Sequence, residues 1–380
     1  MLKHGYYTVK DKSFYNKIEA LIYASKINSE IKWHWFDCYD KINWDRDSSY
    51  SLQEIYKIRA LQLREKYDYL ILSFSGGADS WQICKTFLDN KIKLDELFIR
   101  WPWQGSKRIH KANLNDHSML NQLSEWEFTT KPMLDTLYKA YPNIKITLHD
   151  WSIDLNKHMW NDEMWENATE SNLGPGSFFA HNSIGDNEKL LLNKGKKVGF
   201  ILGIDKPEIC VIKNKIYCYF SDLLVNNHGW NIPERNIEAF YWTNELPEIV
   251  HVQVREIYRY LLKNKIAVNL IDPTKKPPTA DKINNNHNIW QNILKNILYP
   301  GYGNWFQAGK ENNRIYAKIY HWLFETANDS DFLKGWRGSL DNLLKSVDKK
   351  YYNVDSEGNL IGLKRFTSKF YFIGNLNNDI

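Results

Sequence analysis

The chain has 380 residues, 43% hydrophobic and 25% charged, which excludes a disordered or fibrous protein and allows two domains or one domain with large additions. A net charge of +5 admits an anionic ligand such as a nucleotide but falls short of the polycationic balance of a dedicated nucleic-acid binder. Cys38, Cys84, Cys210 and Cys218 make no CxxC pair, zinc-like spacing or disulfide framework, the N-terminus lacks an apolar signal core, and no apolar run approaches a membrane span, so the expectation is a cytoplasmic protein with no membrane partner.

The first clear element is Ser51–Lys66, "SLQEIYKIRALQLREK". Leu52, Ile55, Ile58 (or Arg59 through its stem), Leu61 and Leu63 recur near helical spacing, and Ser51 with Glu54 fits a capping box. "YLILSF", Tyr69–Phe74, is a short continuous apolar run, which predicts a strand buried on both faces of a parallel sheet. From Asp79 the period turns helical, with Trp81, Cys84, Phe87 and Leu88 on one side, and "LDELFIRW" predicts a second strand. This is a βαβ unit whose glycine-rich turn lies at the carboxyl end of the first strand, where open α/β sheets bind ligands.

The alternation continues through a helical pattern over Met119–Tyr141 and strands at "NIKITLHDW" and "KVGFILGID". "EICVIKNKIYCYF", Glu208–Phe220, predicts a hairpin turning at Lys213–Lys215. Beyond about residue 225 the character changes. "LPEIVHVQVREIYRYLLKN" predicts a helix with Pro247 near its first turn and Ile249, Val250, Gln253, Ile257 and Leu261 along one stripe. Aromatic, Asn- and Lys-rich segments follow, ending in the strand-like "SKFYFIG". The expected fold is therefore α/β with an open parallel sheet. Its expected parts are a helical N-terminal extension over 1–68, the sheet domain over 69–224, and a mostly helical, aromatic-rich substrate or partner domain over 225–380.

The turn "SGGADS", Ser75–Ser80, carries the chemistry. Consecutive backbone N–H groups beside a helix N-terminus form an anion site, because unpaired donors and the helix dipole both favour negative charge. Gly76 and Gly77 let the backbone approach a ligand oxygen, and Ser75 and Ser80 add hydroxyl donors. Asp79 either caps the helix or helps to hold a Mg2+ that bridges phosphates. The turn is neither a Walker A loop nor a GxGxxG fingerprint.

"SGGADS" resembles the SGGxDS signature of the PP-loop ATP pyrophosphatases, a family of the HUP-like α/β type, over about Tyr69–Asp205. The resemblance implies ATP and Mg2+ as ligands and cleavage of ATP to AMP and pyrophosphate, with adenylation of an acceptor. It further implies that Ser73, Ser75, Gly76, Gly77, Ala78, Asp79 and Ser80 hold the phosphates. A weaker match, "LGIDKP", places Gly203 by the nucleotide, Asp205 on Mg2+ together with Asp79, and Lys206 on the leaving pyrophosphate; the alternative is a strand-ending turn. Ser75, Asp79, Asp205 and Lys206 would then be the catalytic set. Arg100 and Trp101 end the second strand where the family's adenine and ribose lie, or are a surface charge and a packing residue. His181 and Asn182, in a long turn-rich loop, are weaker candidates for substrate contact.

Without a CxxC, a C-terminal cysteine cluster or an N-terminal cysteine nucleophile, the resemblance points to an adenylating ligase or amidating enzyme. Its nitrogen would come from ammonia, an amine or a partner that supplies one. The acceptor is a small molecule or, where "FYWTNELPE", "YPGYGNWFQAGKENNR" and "LKRFTSKFYFIG" interleave aromatics with Lys and Arg, a nucleotide or nucleic-acid base; the plainer alternative is an aromatic core with a solvated basic face. Two other readings stand beside it. One is a sulfonucleotide-reductase relative using an external thiol and Cys84; the other is a nucleic-acid-binding or assembly protein that keeps ATP as a structural ligand.

Overall fold

Five parallel strands form the centre of the molecule, in the order β10-β7-β4-β5-β6. The computed structural model describes residues 5–106, 126–153, 184–204, 206–222, 235–272, 280–302, 329–354 and 360–376. Asp205, His181, Asn182 and most of 299–314 thus lie outside the described residues. The central strands are β4 (Tyr69–Ser73), β5 (Glu96–Trp101), β6 (Lys145–Asp150), β7 (Val198–Leu202) and β10 (Asn236–Ala239). Every residue of β7 is buried, as a strand covered on both faces requires.

The predicted βαβ unit is present as β4, α3 (Ala78–Asp89) and β5. From β4 the chain moves through β5 to β6 on one side, then returns to place β7 on the other side of β4. The strand order therefore reverses between β4 and β7. In open α/β sheets this reversal leaves a crevice outside the carboxyl ends of the two strands.

Helix α2 (Leu52–Lys66) starts at the predicted cap: Glu54 N–H donates to Ser51 Oγ at 3.3 Å and Ser51 N–H to Glu54 Oε2 at 2.8 Å. Its buried stripe is Leu52, Ile55, Tyr56, Arg59, Ala60 and Leu63, whereas Leu61 is exposed. α2 packs on α3 and on α7 (Glu248–Lys263), and all five predicted stripe residues of α7 are buried. Helices α1 (Lys17–Ile27), α4 (Trp103–Ser106), α5 (Lys131–Ala140), α6 (Asp186–Asn193), α8 (Lys265–Ile271), α9 (Ala280–Leu298) and α10 (Asp331–Ser346) are the other α-helices among the described residues.

The N-terminal extension also carries a sheet. β1 (Tyr6–Val9), β2 (Lys12–Phe14) and β3 (Lys32–His34) pair antiparallel in the order β2-β1-β3. Strands of three or four residues are too short for an alternating pattern to stand out. The predicted hairpin forms as β8 (Glu208–Ile212) and β9 (Lys215–Tyr219), with Lys213 and Asn214 at positive φ in its turn. β9 also pairs with β13 (Tyr371–Asn375), while β11 (Tyr352–Val354) and β12 (Leu360–Leu363) make a two-stranded ribbon.

Two elements cross the expected boundary near residue 225: β10 is the fifth strand of the parallel sheet, and β13 joins the β8–β9 hairpin. The buried apolar residues form one contiguous cluster from Tyr7 to Ile373. Among the described residues no helix is long and apolar enough to cross a membrane.

Strand β10 is anchored by charge as well as by the ladder. Glu238 is 2% exposed and accepts from Arg59 Nη2 at 2.8 Å, from Lys66 Nζ at 2.7 Å and from Tyr67 Oη. Arg59, fully buried, donates also to Glu245 and to the Ala239 carbonyl. Removing one member of such a set strands a buried charge, which costs about 3–5 kcal/mol. Glu238→Leu should therefore lower unfolding stability by about 3 kcal/mol, read as a lower urea midpoint at unchanged m-value, whereas Glu54→Gln at the exposed cap should cost well under half of that.

Candidate functional site

The crevice between β4 and β7 is lined by the segment after each strand. After β4, Phe74 N–H still donates to the Phe98 carbonyl, and the chain then turns at Gly76, whose φ is +74°. A non-glycine residue in that left-handed region is strained by roughly 1–2 kcal/mol. Space is closed as well: a Cβ on Gly76 would lie 2.8 Å from Thr130 Oγ1 and 3.1 Å from Thr130 Cα. Thr130, buried at the start of α5, donates its hydroxyl to the Ser75 carbonyl at 2.9 Å and pins the turn from outside.

Gly77 is the N-cap of α3, so no side chain caps this helix. Asp79 is therefore not the cap; it sits in the first turn. Ser75 Oγ accepts from Gly77 N–H at 3.3 Å, and Ser80 Oγ accepts from Ser75 N–H at 3.3 Å and donates to the Gly77 carbonyl at 3.1 Å. Among the described residues, the N–H groups of Gly76, Ala78, Asp79 and Ser80 meet no acceptor. The first N–H groups of a helix have no intrahelical partner, and here the dipole adds partial positive charge.

The structure brings the second motif to the same place. A Cβ on Gly203 would lie 3.2 Å from Asp79 Cβ, so the absence of a side chain there lets the two segments touch. Lys206 Nζ lies 2.6 Å from Asp79 Oδ1, and Tyr299, just past the end of α9, donates its hydroxyl to the same oxygen. Tyr241, two residues past β10, donates to the Asp79 carbonyl at 3.1 Å. Burial pushes the Asp79 carboxyl up, but the charge and hydrogen bond of Lys206, with the Tyr299 hydroxyl, outweigh it and hold the group below the usual carboxylate range. Burial and the nearby Asp79 charge push the Tyr299 hydroxyl well above the ordinary phenol range, so it stays a donor.

Arg100 and Trp101 leave β5 in different directions. Trp101 is buried in the core, as the packing alternative required, and its indole N–H has no partner among the described residues. Arg100 reaches across the sheet to donate to Ser73 Oγ at 3.1 Å and lies 5.8 Å from the ring of Phe200. Burial and the neighbouring Arg235 pull its guanidinium down to about 9. Arg235 is held by a buried bidentate pair with Glu188, whereas Arg100 has no carboxylate partner among the described residues. Arg100 is thus a cation at the base of the loop, beside the strand end that feeds it.

The donor set suits phosphate oxygens: a row of N–H groups, the Ser75 hydroxyl, a nearby lysine and glycines where side chains would intrude. For Mg2+, Asp79 presents one carboxylate, which suits an ion that takes one or two carboxylates and completes its shell with phosphates and water. No cluster of three or more His, Cys, Asp or Glu able to hold a metal occurs among the described residues. Thr130, Tyr241 and Tyr299 escaped the sequence reading, since each bonds to the loop from 55 or more residues away and a lone Thr or Tyr carries no spacing signal. In comparisons with known proteins, no protein-family model matches this chain, and no curated protein matches it.

Because the Asp79 carboxyl is depressed in the folded chain, its stabilising contribution is complete above the unfolded carboxylate range and is lost as pH falls through the folded value. Urea unfolding of wild type and Asp79→Asn should therefore differ most near neutral pH, and the gap should narrow below about pH 4. A gap that stays constant down to about pH 3 would contradict the ion pair with Lys206.

Proposed function

We propose that the chain is an ATP pyrophosphatase: it binds Mg-ATP at the Ser75–Ser80 loop, cleaves it between the α- and β-phosphates, and adenylates an acceptor. The observation that carries this reading is the row of N–H groups at Gly76, Ala78, Asp79 and Ser80, which meet no acceptor among the described residues and sit where the strand order reverses. The SGGxDS resemblance supports the same reading, and an open parallel sheet is compatible with it.

In this proposal the β- and γ-phosphates lie on the loop, because a row of N–H groups and the helix dipole favour the most highly charged part of the ligand. An acceptor oxygen attacks the α-phosphorus as the bond to the β-phosphate oxygen breaks, so pyrophosphate leaves with added negative charge. Lys206, already seated beside the helix start, neutralises that charge, and Asp79 would hold a Mg2+ whose charge would add to that of Lys206 on the phosphates. Tyr299 orients the Asp79 carboxylate by its hydrogen bond. A nitrogen nucleophile then displaces AMP from the adenylated acceptor.

The sulfonucleotide-reductase alternative loses its thiol. Cys84 is fully buried on the inner face of α3, and burial pushes its thiol up to about 12. Cys38 and Cys210 are partly exposed, but burial raises both thiols rather than activating them.

The test is product analysis from α-labelled Mg-ATP with pools of candidate acceptors. AMP and pyrophosphate are expected, whereas ADP, or ATP binding without turnover in every pool, would overturn the reading. Lys206→Ala should lower turnover by about 10²–10³-fold with a smaller effect on ATP affinity, the signature of a donor that acts as the leaving group departs. Gly76→Ala should weaken ATP binding by about tenfold or more, since the turn must move to accommodate Thr130.

A further inference from the structure

We infer that the outward face of the β8–β9–β13 sheet is a stacking platform for single-stranded nucleic acid. β8 and β9 alternate between core and solvent, and β13 does so with a register shift at Ile373. Ile209, Val211, Ile216, Cys218, Tyr371 and Ile373 point into the core, while Cys210, Ile212, Tyr217, Tyr219 and Phe372 point outward, joined by Phe370 just before β13. On the outer face Phe370 is 47% exposed, Phe372 39% and Ile212 41%. Burying large apolar rings is favourable, so several on one solvated face are a cost unless something covers them.

The rings are arranged as a group rather than scattered. Phe370 lies 5.0 Å from Tyr219 and 6.4 Å from Tyr217, and Tyr217 lies 5.9 Å from Phe372. Lys215 extends over Phe372 at 5.8 Å, which places a cation on the same surface as the rings. Nucleic-acid bases stack on such faces whatever their sequence, because every base offers a π-face and the phosphates need neighbouring cations.

Charge decides what the occupant is. The segments Glu208–Phe220 and Leu363–Leu376 that build this sheet carry Lys213, Lys215, Lys364, Arg365 and Lys369 against a single acid, Glu208. Glu208 is engaged by the Ser221 hydroxyl. Lys369 pairs with Asp40, but Lys213, Lys215, Lys364 and Arg365 meet no carboxylate among the described residues. Where the Lys364–Lys369 stretch passes β3 it borders a cleft of about 530 Å³, lined also by Lys32, Trp33 and His34, in which Lys32, Lys364, Arg365 and Lys369 outnumber Asp37 and Asp40. A second copy of this chain would bring the same cations against these, so the face is built for a polyanion and not for itself.

The platform stands independently of the nucleotide reading, although the two are neighbours along the chain. β8 begins two residues after Lys206, and Glu208 pairs with Tyr219, so the Tyr219–Phe370 end of the face is the end nearest the loop in sequence.

The test uses the full chain and fluorescein-labelled twenty-nucleotide oligo-uridylate and oligo-thymidylate, read by anisotropy. Wild type should bind at least one of them, weakening steeply between about 50 and 200 mM salt, and the stronger of the two identifies RNA or DNA as the natural source. Phe370→Ala with Phe372→Ala, both exposed and so tolerated by the fold, should weaken binding about tenfold or more while keeping the salt dependence. Lys213→Gln with Lys215→Gln should instead flatten the salt dependence. No binding by wild type would overturn the inference, as would binding that the aromatic pair leaves unchanged. So would light scattering that shows a dimer abolished by the aromatic pair when no oligonucleotide binds.

Discussion

The carboxylate of Asp79 joins three parts of the chain that are far apart in sequence. It sits in the first turn of α3, accepts from Lys206 in the segment after β7, and accepts from Tyr299 beyond α9. Tyr241, beyond β10, adds a hydrogen bond to the backbone of the same residue. The mouth of the crevice is thus fixed by one charged group on the β4 side of the strand reversal, with partners from beyond β7, β10 and α9. A loop held only by its own residues would be free to collapse onto its unpartnered N–H groups; here Thr130 braces it from one side and the Asp79 contacts from the other.

This arrangement makes the site electrically poised. Its positive components are the helix start, Lys206 and, at the base of the loop, Arg100. Asp79 and Lys206 pair at 2.6 Å, so a carboxylate and an ammonium lie side by side at the helix start. The buried set around Glu238 does different work. With Arg59, Lys66 and Tyr67 about it, it fixes the edge strand β10 to α2 and thereby the position of Tyr241.

Local chemistry was legible in the sequence where it was local. The capping box of α2, the βαβ unit, the hairpin at Lys213–Lys215 and the stripe of α7 all follow from spacing, and all are present. Gly203 and Lys206 were singled out from a short motif, and the structure puts both against Asp79. What was not legible depends on contacts across the fold. Leu61 fits the helical stripe of α2 yet is exposed, because the buried face is centred on Tyr56 and Arg59, and an arginine counts as polar until its carboxylates are known. Thr130, Tyr241 and Tyr299 are ordinary residues made important by position. The short N-terminal strands and the joining of β10 and β13 to sheets begun far upstream had no periodic signal to announce them.

A crystal of the full chain grown with Mg2+ and an ATP analogue whose α–β bridge resists cleavage would test the central claim most directly. The account predicts β- and γ-phosphate oxygens within hydrogen-bond distance of the N–H groups of Gly76, Ala78, Asp79 and Ser80, with Lys206 turned from Asp79 toward phosphate. An analogue seated elsewhere on the sheet, or a loop that keeps the Asp79–Lys206 contact with no phosphate on its N–H groups, would contradict it.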